Sequence, residues 1–308
     1  MTTSAPLFVS SGDLIADRRY EWAIAHARRG DLAGAAEILA QTVELAPAFA
    51  TAWFALGAIR DVLGDRAGAI GAFESARKAD PEDYHGARLH LARLGAGEAT
   101  PGMTETYVRR LFDQHAPDFD AAMRERLAYR GPELLLDAVR GLASTPLRFG
   151  SALDLGCGTG LAGAAFRPYV DWLVGIDLSP VMLDQARAKG LYDRLIARDL
   201  TEFLREEAAA EAQYHVVLAA DVFVYCGELT PIAVATAGVL APGGLFAFTV
   251  ETHDGAGVLL RETLRYAHSA DHVRHALNRA GLTIVALESG STRREKGAPV
   301  AGLVVVAR

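Results

Sequence analysis

The sequence predicts an α/β domain with a largely parallel sheet, preceded by an all-α domain built from a helical repeat. Three observations lead to this prediction. The first hundred residues are rich in Ala, Leu, Arg and Glu and carry no clusters of β-branched residues. Within them, a set of small, apolar and proline positions recurs at a fixed interval. From residue 148 onward, short apolar runs alternate with helical stretches, a pattern typical of strands joined by crossover helices.

The interval of the repeat, about 34 residues, is the period of the tetratricopeptide helix–turn–helix unit. Its recurring positions are Ala35, Leu39 and Pro47 in one copy and Ala69, Phe73 and Pro81 in the next. The second copy adds Trp53, Leu56, Gly57 and Ala76, whereas the first holds Trp22 and Ala23 at the Leu and Gly positions. Small residues let paired helices approach closely, and proline ends the second helix of a pair. We expect Trp53 and Phe73 to pack between the helices.

The repeat domain is predicted to span residues 1–96, with a partial third unit at residues 84–94 that caps the stack. Residues 95–102, which read GAGEATPG, are the expected linker because Gly and Pro interrupt regular structure. Two further helices are expected before the first strand, at residues 105–129 and about 132–142. The second domain is predicted to span residues 103–308.

Seven apolar runs are predicted to form the strands of the second domain. They cover residues 152–155, 172–176, 195–197, 216–219, 245–250, 282–287 and 303–306. The last two runs flank only a turn-like stretch at residues 289–299, so we expect them to pair as an antiparallel hairpin.

A glycine-rich stretch, DLGCGTG at residues 154–160, follows the first apolar run and leads into a helix near Leu161. Gly156, Gly158 and Gly160 permit a tight turn and let the backbone approach a ligand closely. Such a strand–turn–helix also occurs in dinucleotide-binding domains. The spacing GxGxG, in place of GxGxxG, disfavours that alternative.

Carboxylates end three successive predicted strands, at Asp154, Asp177 and Asp199. Asp177 ends the first predicted strand after Gly160, and a carboxylate there can accept two hydrogen bonds from a ribose diol. Asp199 is placed to accept a hydrogen bond from an adenine amino group. The order of these acids indicates an adenosine-containing ligand.

The motifs LDLGCGTG, GIDLS, ARDL, VVLAADVF and LAPGG resemble, in order, those of the class I S-adenosylmethionine-dependent methyltransferases over residues 148–308. The resemblance implies a Rossmann-like seven-stranded sheet with the last strand antiparallel, and S-adenosyl-L-methionine as the cofactor. Met182 would pack on the adenine or fill the core. The other cofactor contacts that it implies are Asp154, Gly156, Gly158, Gly160, Asp177, Leu178, Asp199, Leu200, Ala220 and Asp221.

The whole chain is similar to a narrower group, predicted bacterial methyltransferases with N-terminal tetratricopeptide repeats. The residues that carry this similarity lie at 107–116, 127–132 and 265–269. It implies a helical lid over the cofactor at residues 103–145. Tyr107 and Arg130 become candidate cofactor contacts, Phe112 a site candidate and His115 a catalytic candidate. The alternative is that these side chains pack or face water.

A general base is needed only if the methyl acceptor holds a proton. Candidates at strand ends are Tyr225, Glu251, His253 and His268, of which Tyr225 and His268 are the preferred pair. His268, His272 and His275 have a helical spacing that a metal site could use. We expect Ser269 to cap the helix and so to break that face, and no metal is predicted.

Composition argues against several other classes of function. The net charge of −7 and the pI of about 5.7 disfavour nucleic-acid binding. The densest basic cluster, Arg293, Arg294 and Lys296, is interpreted as a solvated turn. Two cysteines form no disulfide framework, residues 1–11 lack a signal-peptide pattern, and no apolar run is long enough to span a bilayer. A cytoplasmic location without membrane association is therefore expected.

The leading functional hypothesis is a methyltransferase acting on a small molecule, with the repeats as an accessory or self-association module. A second hypothesis has the repeats recruit a protein or carrier-bound substrate. A third is a non-enzymatic scaffold that only binds the cofactor, and a nicotinamide dehydrogenase is a distant fourth. The acceptor atom stays open among O, N and C.

Overall fold

The structure, a computed structural model, describes residues 8–97, 102–142 and 147–308. The chain divides into two compact units, Met1–Arg110 and Leu111–Arg308. The predicted domain bounds, 1–96 and 103–308, and the lid at 103–145 stay predictions. Parts of these predictions lie outside the described residues: positions 1–7, half of the linker, at 98–101, and the lid's end at 143–145.

The first unit is helical. Its helices are α1 (Leu14–Arg28), α2 (Leu32–Leu45), α3 (Ala50–Val62), α4 (Arg66–Ala79) and α5 (Ala87–Arg93). Asp31 and Asp65, which hold equivalent positions in the two copies of the repeat, cap α2 and α4 in the same way, each accepting the backbone N–H of a glycine in the first turn.

Packing in the first unit agrees with the expectation for its two large aromatic residues. The Phe73 side chain is fully buried, and a Cβ added to Gly57 would lie 2.8 Å from its ring. Glycine at that position therefore lets α3 approach α4. Trp53 packs against the core on both sides of α3, and its indole N–H donates to the carbonyl of Pro47 at 2.9 Å.

The helix predicted at residues 105–129 is interrupted. α6 (Glu105–His115) gives way to a 3-10 turn (Ala116–Asp118), to the single turn α7 (Phe119–Ala121) and to a π-type turn (Ala122–Arg126). Pro117 lies at the start of the 3-10 turn, where its missing N–H and its ring disfavour a continuous α-helix. The remaining helices are α8 (Gly131–Arg140), α9 (Leu161–Phe166), α10 (Pro180–Ala188), α11 (Leu200–Ala209), α12 (Thr230–Ala237) and α13 (Ala270–Arg279).

The sheet of the second unit contains all seven predicted strands, and two short strands extend it at one end. The strands are β1 (Phe149–Leu155), β2 (Val170–Asp177), β3 (Arg194–Ala197), β4 (Tyr214–Ala219), β5 (Leu240–Glu251), β6 (Val258–Leu260), β7 (Tyr266–His268), β8 (Ile284–Gly290), β9 (Arg294–Glu295), β10 (Ala298–Pro299) and β11 (Gly302–Ala307). The strand order is β3-β2-β1-β4-β5-β11-β8. β7 pairs with β5 and with β6, and β9 and β10 form a separate two-stranded sheet.

Strands β1 to β5 run parallel, and β11 is antiparallel to both of its neighbours. This confirms the predicted Rossmann-like sheet with an antiparallel last strand, including the pairing of the last two predicted strands. The central strands are buried on both faces, between two separate apolar clusters, which explains their continuous apolar sequences. Across the described ranges, no helix is both long and apolar enough to cross a membrane.

Candidate functional site

The glycine-rich loop lies at the carboxyl end of β1. Gly156, Gly158 and Gly160 have φ angles of 62°, 54° and 90°, a backbone region that L side chains disfavour. A Cβ added to Gly156 would meet Val222 at 2.8 Å, and one added to Gly160 would meet Tyr192 at 2.9 Å. At Gly158 the same position faces open space. The loop is thus packed at both ends and accessible at its middle.

Asp177, at the end of β2, is joined to this loop. Its Oδ2 accepts the backbone N–H of Gly158 at 2.8 Å, and its Oδ1 accepts that of Ser179 at 2.8 Å. Burial raises the pKa of Asp177 to about 6, although the two hydrogen bonds act in the opposite direction. Each carboxylate oxygen keeps a second lone pair, so the group can still accept from a ligand.

Asp154, at the end of β1, is directed into the protein. Its side chain is buried and its Oδ2 accepts the hydroxyl of Tyr192 at 2.6 Å. Burial raises the pKa of Asp154 to about 7 against the effect of that hydrogen bond, and neighbouring Asp177 adds to the rise. A cofactor contact for Asp154 stays a prediction. Tyr192 is not among the predicted site residues, because it lies outside the family motifs.

The acid predicted at the third strand end has a local structural role. Asp199 caps α11, with its Oδ1 accepting the N–H groups of Thr201 and Glu202 at 2.8 and 3.0 Å. One carboxylate oxygen stays available for a ligand. Leu200 and Met182 are buried and Leu178 is half-buried, and the predicted cofactor contacts of these residues are untested by the structure.

The segment after β4 is held by a buried ion network. Asp221, next to Ala220, has a φ of 57°, and its carboxylate accepts hydrogen bonds from Thr249, Thr292 and Arg293, each at 3.0 Å. Arg293 also pairs with Glu251 and with Glu295. These bonds use three of the four lone pairs of the Asp221 carboxylate, and the backbone N–H of Asp221 donates to Thr249 Oγ1 at 2.9 Å.

The network corrects one prediction. Arg293 was interpreted as part of a solvated turn, but its side chain is 2% exposed, whereas Arg294 and Lys296 are exposed. Burial alone would lower the pKa of the Arg293 guanidinium, but Asp221 and Glu251 outweigh that effect and raise it. Arg261 pairs with Glu251 at 3.3 Å and Arg265 with Glu295 at 2.5 Å. The negative charges of the three acids in the network are therefore balanced by the positive charges of three arginines.

His268 is the most deeply buried catalytic candidate. Its side chain is inaccessible, and its Nε2 lies 3.2 Å from the carbonyl oxygen of Phe223. A carbonyl only accepts, so Nε2 carries the proton and Nδ1 the lone pair. Nδ1 is buried and has no hydrogen-bond partner among the described residues. Burial lowers the pKa of His268 to about 4, which makes the ring neutral and a weak base.

The histidines around His268 form no metal site in the described ranges, where no group of three His, Cys, Asp or Glu residues could hold a metal ion. Ser269 caps α13 as expected. The rings of His268 and His272 stack, with centroids 5.4 Å apart. His253 bonds to Gly255 and Gly257 of its own loop.

The remaining predicted site residues are Tyr225, His115, Arg130 and Tyr107. Tyr225 is half-buried and its ring lies edge-on to that of Phe112, with centroids 5.2 Å apart. His115 is exposed overall. Partial burial of its ring lowers the pKa of His115, and the positive charge of nearby Arg126 lowers it further. Arg130 is exposed and precedes α8. Tyr107 belongs to the first unit, where its ring packs on Gly86.

Residues 111–130 connect the loops around the site. Asp113 Oδ1 accepts the hydroxyl of Ser179 at 2.5 Å. Asp120 accepts the hydroxyl of Thr159 at 2.5 Å and pairs with Lys189 at 2.6 Å. This segment therefore contacts the glycine-rich loop and the loop after β2. It reaches the loop after β4 through Phe112.

Comparisons with known proteins agree with this geometry. A family model described as "Methyltransferase domain" matches residues 153–246. The human Methyltransferase-like protein 27 is 31% identical over 192 residues, which cover 62% of this chain and 73% of that protein.

Two solved structures were compared with the chain, and the first of them shares its fold. The first is the Burkholderia thailandensis 1,6-didemethyltoxoflavin-N1-methyltransferase with bound 1,6-didemethyltoxoflavin and S-adenosylhomocysteine, with a TM-score of 0.50 and 21% identity over 65% of this chain and 86% of that chain. The second is an S-adenosylmethionine-dependent methyltransferase from Clostridium acetobutylicum, with a TM-score of 0.47 and 17% identity over 64% of this chain and 98% of that chain.

Proposed function

Because the chain belongs to the class I S-adenosylmethionine-dependent methyltransferases, we propose that it methylates a small-molecule acceptor by in-line transfer. Its cofactor is S-adenosyl-L-methionine, which related solved structures contain as such or as S-adenosylhomocysteine. The observation that carries the assignment of the site is the pairing of Asp177 with the N–H of Gly158. This bond joins the acid that would hold a ribose to the open part of the glycine-rich loop.

The residues present fit the cofactor. The space in front of Gly158 is where a Cβ would otherwise stand, so a ligand can approach the backbone closely there. We propose that Asp177 accepts the ribose hydroxyls, while Leu178, Met182, Asp199 and Leu200 hold the adenine. Gly156, Gly160 and the backbone of Ala220 and Asp221 would hold the methionine part, with Asp154 supporting the loop.

When bound, the cofactor supplies a methyl group activated by a sulfonium leaving group. The contribution of the protein is then to orient the acceptor and to exclude water. We propose that residues 103–145 form a lid, supported by the contacts of Asp113, Asp120 and Phe112 with the loops around the site. Arg130 remains a proposed cofactor contact of this lid, whereas the contact of Tyr107, which belongs to the first unit, stays a prediction from the sequence.

Tyr225 is the preferred acceptor-side residue, because it lies in the loop that follows β4 and its ring is edge-on to that of Phe112. His115 is a second candidate for holding an acceptor proton. His268 is proposed to act through the loop after β4, since its Nε2–H donates to Phe223 and its low pKa disfavours a role as base.

The first-unit helices are proposed to be tetratricopeptide repeats. The equivalent caps at Asp31 and Asp65 and the packing of Phe73 on Gly57 support this proposal. Recruitment of a protein or carrier-bound substrate through these repeats is the competing hypothesis.

Labelled methyl transfer separates the two hypotheses with the full chain. The protein would be incubated with methyl-labelled S-adenosylmethionine and a cell extract, which is then divided by size. We expect label in the low-mass fraction. Label confined to macromolecules would support the recruitment hypothesis, and no label in either fraction would support a protein that only binds the cofactor.

Replacing Asp177 by alanine is expected to weaken S-adenosylmethionine binding by about 1–3 kcal/mol, since ribose hydroxyls lose their acceptor. Calorimetric titration measures the change. Asp171→Ala is the matched control, because Asp171 lies at the opposite end of β2 and is half-exposed. Equal affinities for Asp177→Ala and the unmodified protein would remove the cofactor assignment from this site.

A further inference from the structure

Tyr192 fills a space that three glycines leave open. It lies between α10 and β3, and its ring faces Gly160, Gly163 and Gly175. A Cβ added to these glycines would lie 2.9, 2.2 and 2.7 Å from the tyrosine side chain, respectively. The three glycines belong to the cofactor loop, to α9 and to β2. One ring thus packs against three elements at once. A side chain on any of the three glycines would displace the tyrosine ring.

The hydroxyl of Tyr192 reaches the start of the same loop. It donates to Asp154 Oδ2 at 2.6 Å, and Asp154 is buried. Asp154 lies just before Gly156, while Gly160 contacts the ring. The tyrosine therefore contacts the glycine-rich loop at both ends, and the accessible Gly158 lies between these contacts.

The backbone around Tyr192 is itself anchored. Arg167 donates to the carbonyl oxygen of Leu191 at 3.2 Å and to the Asp193 carboxylate at 2.6 Å. Asp193 also exchanges hydrogen bonds with the backbone of Leu173, at 2.7 and 2.9 Å. Asp193 is thereby held against β2, and Leu191 against Arg167, which lies three residues before β2. The backbone on both sides of Tyr192 is anchored, so the ring is a rigid support for the loop.

We propose that Tyr192 is a positioning residue, which holds the glycine-rich loop in its cofactor-binding conformation through ring packing and through its hydroxyl bond to Asp154. The proposal rests on the cofactor assignment made above. Its physical basis is that the loop glycines Gly156, Gly158 and Gly160, which have positive φ, give the loop many alternative conformations. An external contact at each end of the loop removes most of these conformations before the ligand binds.

The test compares two tyrosines with matched environments. Tyr214 donates to the buried Glu207 at 2.6 Å, as Tyr192 does to Asp154, but it lies at the amino end of β4. Tyr192→Phe is expected to weaken S-adenosylhomocysteine binding about tenfold, the scale of one lost hydrogen bond. Tyr214→Phe should change the affinity by less than about twofold, although both variants lose similar stability.

Calorimetric titration of S-adenosylhomocysteine into the full chain gives outcomes that are distinguishable. If the unmodified protein does not bind, the proposed function fails. If it binds and Tyr192→Phe binds equally well, the positioning role is overturned and the cofactor assignment survives. Equal weakening in both tyrosine variants would indicate general loosening and would also overturn the role.

A second measurement does not depend on a ligand or on the folding of Tyr192→Phe. Gly163→Ala places a Cβ at the tyrosine hydroxyl and should lower the thermal midpoint by about 5 °C. In a Tyr192→Leu background, where the atoms that would clash are gone, the same substitution should cost little. An equal cost in both backgrounds would show that the ring does not occupy this space.

Discussion

Replacing Arg293 by methionine is expected to lower the free energy of unfolding by about 3–5 kcal/mol, the usual cost of removing one partner from a buried ion pair. Methionine fills much of the volume but leaves Asp221 with no cationic partner. Glu251 and Glu295 keep Arg261 and Arg265, respectively, so the network changes from balanced to a net charge of about −1. Urea unfolding of the purified variant measures the loss.

Arg148→Met is the matched control, since Arg148 pairs with Asp171 at the surface. The two side chains are 63% and 50% exposed, respectively. Its expected cost is below about 1 kcal/mol. Adding Asp221→Asn to Arg293→Met should recover part of the loss, because asparagine is neutral and tolerates the positive φ of this position. Equal losses for Arg293→Met and Arg148→Met would show that the network contributes no more than a surface pair.

Replacing Asp154 by asparagine changes the free energy of unfolding by an amount that should depend on pH. We expect this change to be about 4 kcal/mol more favourable at pH 8 than at pH 4. Burial raises the pKa of Asp154 from 3.8 to about 7. The folded state therefore holds a proton that the unfolded state releases, and its stability falls as the pH rises between these two values. Asparagine never ionises and avoids this loss, while its side-chain oxygen can still accept from Tyr192.

Denaturant unfolding of both proteins at several pH values from 4 to 8 gives the difference directly. Asp193→Asn provides a control of opposite sign. Burial would raise the pKa of Asp193, but hydrogen bonds from Leu173 and Arg167 lower it overall, so this substitution should cost stability at neutral pH and less in acid. A constant difference between Asp154→Asn and the unmodified protein would mean that Asp154 does not titrate in this range.

The central strands were predictable because burial on both faces gives them continuous apolar sequences. All seven predicted runs are strands of the sheet, and the antiparallel pairing of the last two followed from the short connection between them. β6 and β7 were missed because each has three residues, too few for a periodic pattern. The helix predicted at 105–129 was too long because Pro117 interrupts it.

The candidate site was predictable where its function depends on local backbone geometry. The positive φ angles at Gly156, Gly158 and Gly160 agree with the glycine spacing. The position of Asp177 at a strand end agrees with its place after an apolar run. Neither property requires knowledge of what packs nearby.

By itself, the sequence determined the sheet, the glycine-rich loop and the order of the acids, since these depend on residues close together in the chain. Only the tertiary structure decided that Tyr192 supports the loop, that Arg293 is buried and that His268 is inaccessible. These properties depend on partners 38, 72 and 45 residues away. Burial and pairing are set by such distant contacts, which the local pattern around a single tyrosine, arginine or histidine does not record.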